Sequence, residues 1–191
     1  MIDKKVQNIG VIFKFSPNWL GGIYYIINII NSLEYLDQSL RPKIFLFYKS
    51  NLKPFISKIR YTNIEYIKWD YISEEFGYPK SLLFRKNYFV NNIIKEYDLD
   101  GIYPLNDHPV NFYSLYKESF IAPAWFADLQ HIYYPKFFSK KQLLLRELRL
   151  WFIRKNASYL VVSSNDVANN FHENYKLNEN LKIKVLQFCS V

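Results

Sequence analysis

The chain has a single cysteine, Cys189, in 191 residues, so it forms no intrachain disulfide, no CxxC pair and no zinc cluster built on cysteines. A reducing compartment is expected. Glycine is nearly as sparse, at five residues. It never falls into GxGxxG or into GxxxxGK followed by Ser or Thr, so neither the dinucleotide fingerprint nor the P-loop is present. No apolar run approaches the roughly 18 residues that a membrane-spanning helix needs. The first residues, Met-Ile-Asp-Lys-Lys, lead into a strand pattern rather than a signal peptide, and cytoplasmic residence is the expectation. G-x-S-x-G and HExxH are missing too, which disfavours an acyl-enzyme hydrolase and a zinc protease. Neither a metal nor a cofactor is expected.

What remains is a globular composition, with 50% apolar and 22% charged residues, far from the signature of disorder. The length suits one domain that buries roughly 70% of its unfolded surface. Tyr (17) and Phe (16) are abundant, as are Lys, Asn and Ile. That bias matches the codon usage of an AT-rich genome, so these counts carry little functional weight. The net charge of +8 suits an anionic partner. The cations are scattered rather than drawn into a stripe, and no nucleic-acid-binding motif accompanies them, so nucleic acid is not expected.

Short apolar runs alternate with helical patterns along the chain. Strands are predicted at Ile9 to Phe15, Lys43 to Tyr48, Ile64 to Lys68, Gly101 to Leu105, Ile121 to Phe126, Tyr159 to Ser163 and Ile183 to Phe188. Helices are predicted at Gly22 to Asp37, Ser81 to Tyr97, Val110 to Glu118, Lys140 to Asn156 and Asn165 to Tyr175, with a weaker one near Leu52 to Ile59. Such alternation implies an α/β fold, a doubly wound and mostly parallel Rossmann-like sheet of about seven strands in a single domain over residues 1–191. In the first helix Ile23, Ile26, Ile27, Ile30, Leu33 and Leu36 form one apolar stripe at helical spacing.

Ligands of such sheets bind beyond the carboxyl ends of the strands, which directs attention to four segments. Trp19-Leu20-Gly21-Gly22 joins the first strand to the first helix, where backbone N–H groups can meet an anion, although a tight turn explains paired glycines equally well. Asn106-Asp107-His108-Pro109 follows the fourth strand and offers His108. Asp128-Leu129-Gln130-His131 places a carboxylate and an imidazole three residues apart in a loop, a pairing suited to orienting a hydroxyl or meeting developing charge, or simply to stabilising the loop. Ser163-Ser164-Asn165-Asp166 has capping-box spacing at a helix start, and Ser164 is a secondary contact candidate. Asp98-Leu99-Asp100 has DxD spacing but precedes its strand, on the wrong edge for a nucleotide-sugar, and reads as a turn.

On a helical wheel of Lys140 to Asn156, Leu144, Leu145, Leu148, Trp151 and Phe152 form the expected core stripe. The opposite half mixes Leu143, Leu150 and Ile153 with Arg146, Arg149 and Arg154. A basic and aliphatic surface of that kind suits peripheral contact with the inner face of an anionic membrane, or with another protein domain.

Several of these segments together resemble a known family. The Trp19-Leu20-Gly21-Gly22 turn, then Trp125-Phe126-Ala127-Asp128-Leu129-Gln130-His131 with Pro135-Lys136-Phe137-Phe138, then Val161-Val162-Ser163-Ser164 with Phe171-His172 and Tyr175, and finally Ile183 to Phe188 are similar to the amino-terminal domain of family 4 retaining glycosyltransferases. These enzymes have the GT-B fold, two Rossmann-like domains facing a cleft. The resemblance implies transfer of a sugar from a nucleotide-diphosphate sugar to a glycan or lipid-linked acceptor. It places Gly21 and Gly22 near the donor phosphate or sugar, Asp128 and His131 at the chemistry, and Trp19, His108, Gln130 and Ser164 along the cleft. The family's carboxyl-terminal domain, with two glutamates eight positions apart, is expected after Val191; no two Glu of this chain have that separation. The chain alone is therefore expected to be inactive, needing that domain or a partner subunit. A non-catalytic Rossmann-like domain that binds a ligand or partner is the alternative.

Overall fold

The computed structural model describes residues 7–69, 83–84, 88–104 and 120–187. In chain order the elements are β1 (Asn8–Phe13), α1 (Leu20–Ser32), β2 (Lys43–Tyr48), α2 (Lys53–Ile56), β3 (Ile64–Lys68), α3 (Tyr88–Glu96), β4 (Gly101–Tyr103), β5 (Ala124–Trp125), α4 (Gln130–Tyr133), α5 (Lys140–Asn156), β6 (Tyr159–Val162), α6 (Asn165–Asn174) and β7 (Lys182–Val185). All seven expected strands form, each within a few residues of its expected bounds. The expected helix at Val110 to Glu118 and His108 lie outside the described residues, as do Cys189 and part of the Ser81 to Tyr97 helix.

Every strand pairing is parallel. The strands form a four-stranded sheet in the order β3-β2-β1-β4 and a three-stranded sheet in the order β5-β6-β7. Among the described residues one parallel bridge, Gly101 to Ile121, links β4 to the segment that leads into β5, with Ile102 N–H donating to the Ile121 carbonyl at 2.9 Å. The protein is therefore α/β with a Rossmann-like parallel arrangement, and in place of the one sheet of about seven strands that the sequence leads one to expect, two parallel sheets of four and three strands meet at a seam.

Burial runs continuously along the inner strands, Gly10 to Phe13 in β1 and Ile44 to Phe47 in β2, because both faces of the sheet are covered, as parallel sheets require. Val11, Phe13, Ile44 and Leu46 join Ile23, Ile26, Ile27 and Ile30 of α1 in one cluster. Ile12, Phe45 and Phe47 point the other way and pack with Val90, Ile93 and Ile94 of α3. Each isoleucine of the α1 stripe contributes roughly 1.5–3 kcal/mol by leaving water. Trp125 and Val161 of the three-stranded sheet belong to the α1 cluster as well, so α1 packs across the seam. A third cluster joins Ala124, Phe126, Leu160 and Val162 to Leu150 and Ile153 of α5 and Phe171 of α6.

The amino-edge reading of Asp98-Leu99-Asp100 holds in detail. Asp98 adopts φ 45°, and the Asp100 carboxylate accepts the Asn8 and Gln7 backbone N–H groups at 3.2 and 3.3 Å. Both belong to the turn that starts β4, at the end of the sheet away from the segments after the strands.

The α5 wheel comes out rotated. Leu150 and Ile153 are fully buried, whereas Leu144, Leu148 and Trp151 are 62%, 44% and 45% exposed. Both halves of this helix carry aliphatic side chains, so periodicity alone leaves two docking faces available. The half chosen is the one whose Arg146 pairs with Asp128.

Candidate functional site

The segments that leave β1, β4 and β5 meet at the carboxyl edge and enclose a cleft of about 360 Å³. Lys14, Phe15 and Trp19 come from the β1–α1 connection, Pro104 follows β4, and Phe126 to Asp128 and Gln130 follow β5; Arg146 and Arg149 reach in from α5. The floor is aromatic. Trp125 is stacked between Trp19 (5.4 Å, 21°) and Tyr25 (5.0 Å, 9°), and Phe15 meets both indoles edge-on at 5.5 and 5.9 Å. Trp19 is 44% exposed, so one indole of the stack is accessible.

Packing of Trp19 accounts for Gly22. A Cβ there would stand 2.7 Å from the Trp19 ring, whereas one at Gly21 would meet nothing closer than 3.9 Å. Neither glycine has positive φ, so turn geometry does not require them. Both lie in the first turn of α1, whose N-cap, Trp19, makes no side-chain cap bond. The amide groups of that turn are therefore not satisfied by a capping side chain. Neither glycine is among the residues lining the cleft; Trp19 is their contribution to it.

Asp128 is held on two sides. Its Oδ1 accepts the Gln130 backbone N–H at 3.0 Å, an Asx turn, and the Arg146 Nη2 at 3.0 Å, while its carbonyl accepts from the same nitrogen at 3.0 Å. The Arg146 guanidinium lies 5.1 Å from the ring centres of both Phe126 and Phe138. Arg146 Nε and Trp125 Nε1 are buried donors without an acceptor among the described residues.

No family model, curated protein or solved structure matches this chain. Function has to be argued from the geometry and the sequence patterns.

His131 turns away from the cleft. It is 3% exposed, and its Nε2 meets Glu147 Oε1 at 3.0 Å, the oxygen that also accepts from the Tyr175 hydroxyl at 2.7 Å. Burial pushes its pKa below the ordinary histidine value, against the opposing pull of the Glu147 hydrogen bond. Nδ1 is buried with no partner among the described residues, which fits a neutral ring carrying its proton on Nε2. Burial likewise raises the Tyr175 phenol, and the Glu147 carboxylate raises it further.

Ser164 is the N-cap of α6, its Oγ accepting the Val167 N–H at 3.2 Å, and the Ser163 hydroxyl donates to the Ala127 carbonyl at 2.9 Å. Ser164 is not among the lining residues. Of the sequence candidates, the cleft thus gathers Trp19, Asp128 and Gln130. It also draws in Lys14, Arg146 and Arg149, which the sequence reading left out of the site. Lys14 was hidden because the expected strand, Ile9 to Phe15, runs past the observed end of β1 at Phe13 and encloses it. The two arginines were assigned to an outer surface, because their helix was docked by the wrong face.

Among the described residues no group of three or more His, Cys, Asp or Glu is placed to hold a metal. The cleft offers an exposed indole for an apolar ring face, an amide and a carboxylate for hydroxyls, and cations for phosphate or carboxylate.

Proposed function

We propose that the chain is the acceptor-side half of a GT-B glycosyltransferase, in which a sugar passes from a nucleotide-diphosphate sugar to a glycan or lipid-linked acceptor. The supporting observation is the convergence of Trp19, Gln130, Lys14 and Arg149 on one cleft at the carboxyl edge of a parallel α/β fold, together with the resemblance in motif order from Trp19 to Phe188. In this reading the glycan stacks on Trp19, and the uncapped start of α1 faces the donor diphosphate. The nucleotide-sugar is gripped by a second α/β unit, from further chain or a partner subunit. Transfer needs donor and acceptor held together while charge on the leaving diphosphate is stabilised, so this half alone turns nothing over.

A specific observation favours a second reading, a binding domain without catalysis. The cleft's carboxylate is engaged by Arg146 and Gln130, and the nearby imidazole is sequestered on Glu147.

The test is a glycan-binding screen of the 191-residue chain and its Trp19→Ala variant, run alongside an assay for nucleoside diphosphate release from nucleotide-sugars. Glycan binding that weakens at least about tenfold in the variant is expected, in line with the loss of one stacking contact, with no release by the chain alone. Release by the isolated chain refutes the half-site argument, and an absence of glycan binding removes the acceptor-wall role. Restoration of turnover by an added α/β unit carrying the paired glutamates separates the enzyme reading from the binding-domain reading.

A further inference from the structure

The helix α5 offers three surfaces in turn around its axis. At about 100° per residue, Leu150 and Ile153 face the core with Arg146 on the same side one turn earlier, Arg149 comes next at the cleft border, and Leu145, Leu148, Leu144 and Trp151 follow over a sector of about 120°. Those four are all exposed. Helices of soluble domains normally keep such residues inside, and a contiguous exposed stripe marks an interaction surface.

The charges that α5 itself places around the stripe are of one sign. Lys140 and Lys141 stand at its amino end, Lys155 at its carboxyl end with its ammonium 4.9 Å from the Trp151 ring centre, and Arg149 along its cleft border. No acidic residue falls in this sector; the helix's one carboxylate, Glu147, lies beyond it and receives His131 and Tyr175. Over its whole length α5 carries six Lys or Arg against that single Glu. Two copies of such a face repel each other. A surface that is anionic outside and apolar beneath complements it, because the leucines and the indole enter the acyl boundary while the lysines remain among the headgroups.

We propose that the exposed Leu144, Leu148 and Trp151 face of α5, with Lys140, Lys141 and Lys155, docks the protein on an anionic lipid bilayer. The face is independent of any sugar chemistry in the cleft, so the proposal stands without the glycosyltransferase reading. The two are connected in space through Arg149, which borders both the stripe and the cleft. A docked chain holds the cleft beside the headgroups, where a substrate anchored in the same leaflet reaches it by lateral diffusion.

The experiment is co-sedimentation of the 191-residue chain with phosphatidylcholine vesicles, with and without phosphatidylglycerol, at low and high salt. Binding is expected only to the anionic vesicles and is expected to weaken with salt. Leu144→Glu with Leu148→Glu abolishes it. Lys140→Glu with Lys141→Glu weakens it by about fivefold for each cation removed, and keeps the fold, since acidic residues suit the first turn of a helix. Far-UV circular dichroism checks each variant, and the lysine pair decides the matter if the leucine pair unfolds. The proposal is overturned by wild-type protein that ignores anionic vesicles, or by binding that survives both variants. It is also overturned if the leucine pair instead abolishes a concentration-dependent dimer, or capture by an acidic protein, in the absence of vesicle binding.

Discussion

Among the described residues the imidazole of His131 is engaged on one side only, Nε2 on Glu147, with Nδ1 enclosed and without an acceptor. Protonation would put an N–H where nothing receives it and a charge where little water reaches. The folded-state pKa is accordingly lowered from 6.5, with burial as the main cause. Because the unfolded chain binds this proton more readily, the His131 contribution to stability is complete above the unfolded pKa and is lost as the pH falls through the folded value. Urea denaturation at pH 7.5 and pH 5.5 is expected to show a larger loss for wild type than for His131→Gln, whose amide can still donate to Glu147; equal losses would remove this account. The sequence showed Asp128 and His131 three residues apart but not that they separate. The short helix α4 begins at Gln130, which sets the imidazole about 100° round the axis from Gln130, and places Gln130 in the cleft and His131 in the core. A four-residue helix has too few positions for periodicity to reveal it.

Long elements with one apolar face were legible, and α5 shows where that legibility stops. In α1 the stripe residues Ile23, Ile26, Ile27 and Ile30 are buried as expected, whereas Leu36, beyond the end of the helix at Ser32, is 39% exposed, and Tyr25 on the other side is buried against Trp125. In α5 the length, both ends and the amphipathic mixture were all readable from sequence. Its start is fixed by a capping box in which Ser139 Oγ accepts the Gln142 N–H at 3.3 Å and the Gln142 side chain accepts the Ser139 N–H at 2.7 Å. The docking face depends instead on partners far away in sequence, chiefly Asp128, which receives Arg146, and Phe171 in the cluster around Leu150. The orientation makes a sharp contrast between neighbours on one helix. Leu150→Ala is expected to cost about 2–5 kcal/mol of unfolding free energy, whereas Leu148→Ala stays within about 0.5 kcal/mol. Denaturant midpoints for the two variants decide it, and the reverse order would restore the core stripe read from the sequence.

At the scale of the whole molecule, the cleft exists only because two sheets are held edge to edge. Among the described residues their backbone connection is slight, a bridge at Gly101 and Ile121. The remaining adhesion comes from side chains that cross the seam, above all Trp125, which is 8% exposed and stacks on Tyr25 of α1 and on Trp19. The Tyr25 hydroxyl extends the same contact by donating to the Leu186 carbonyl at 2.8 Å, just past β7. Lys14, Phe15, Trp19 and Pro104 then belong to one side of the cleft, and Phe126 to Asp128, Gln130, Arg146 and Arg149 to the other. Truncating a buried tryptophan costs about 3–5 kcal/mol, a large share of the roughly 5–15 kcal/mol that holds a domain together. Trp125→Ala should therefore do more than lower stability. Removing the shared ring uncouples the halves, so amide protection is expected to fall further in β6 and β7 than in β1 and β2, whereas wild type is expected to open all four together. Hydrogen exchange resolved by strand reads this directly. Equal loss of protection across the four strands would mean that the bridge and the apolar contacts of Val161 suffice, and that Trp125 serves the cleft alone.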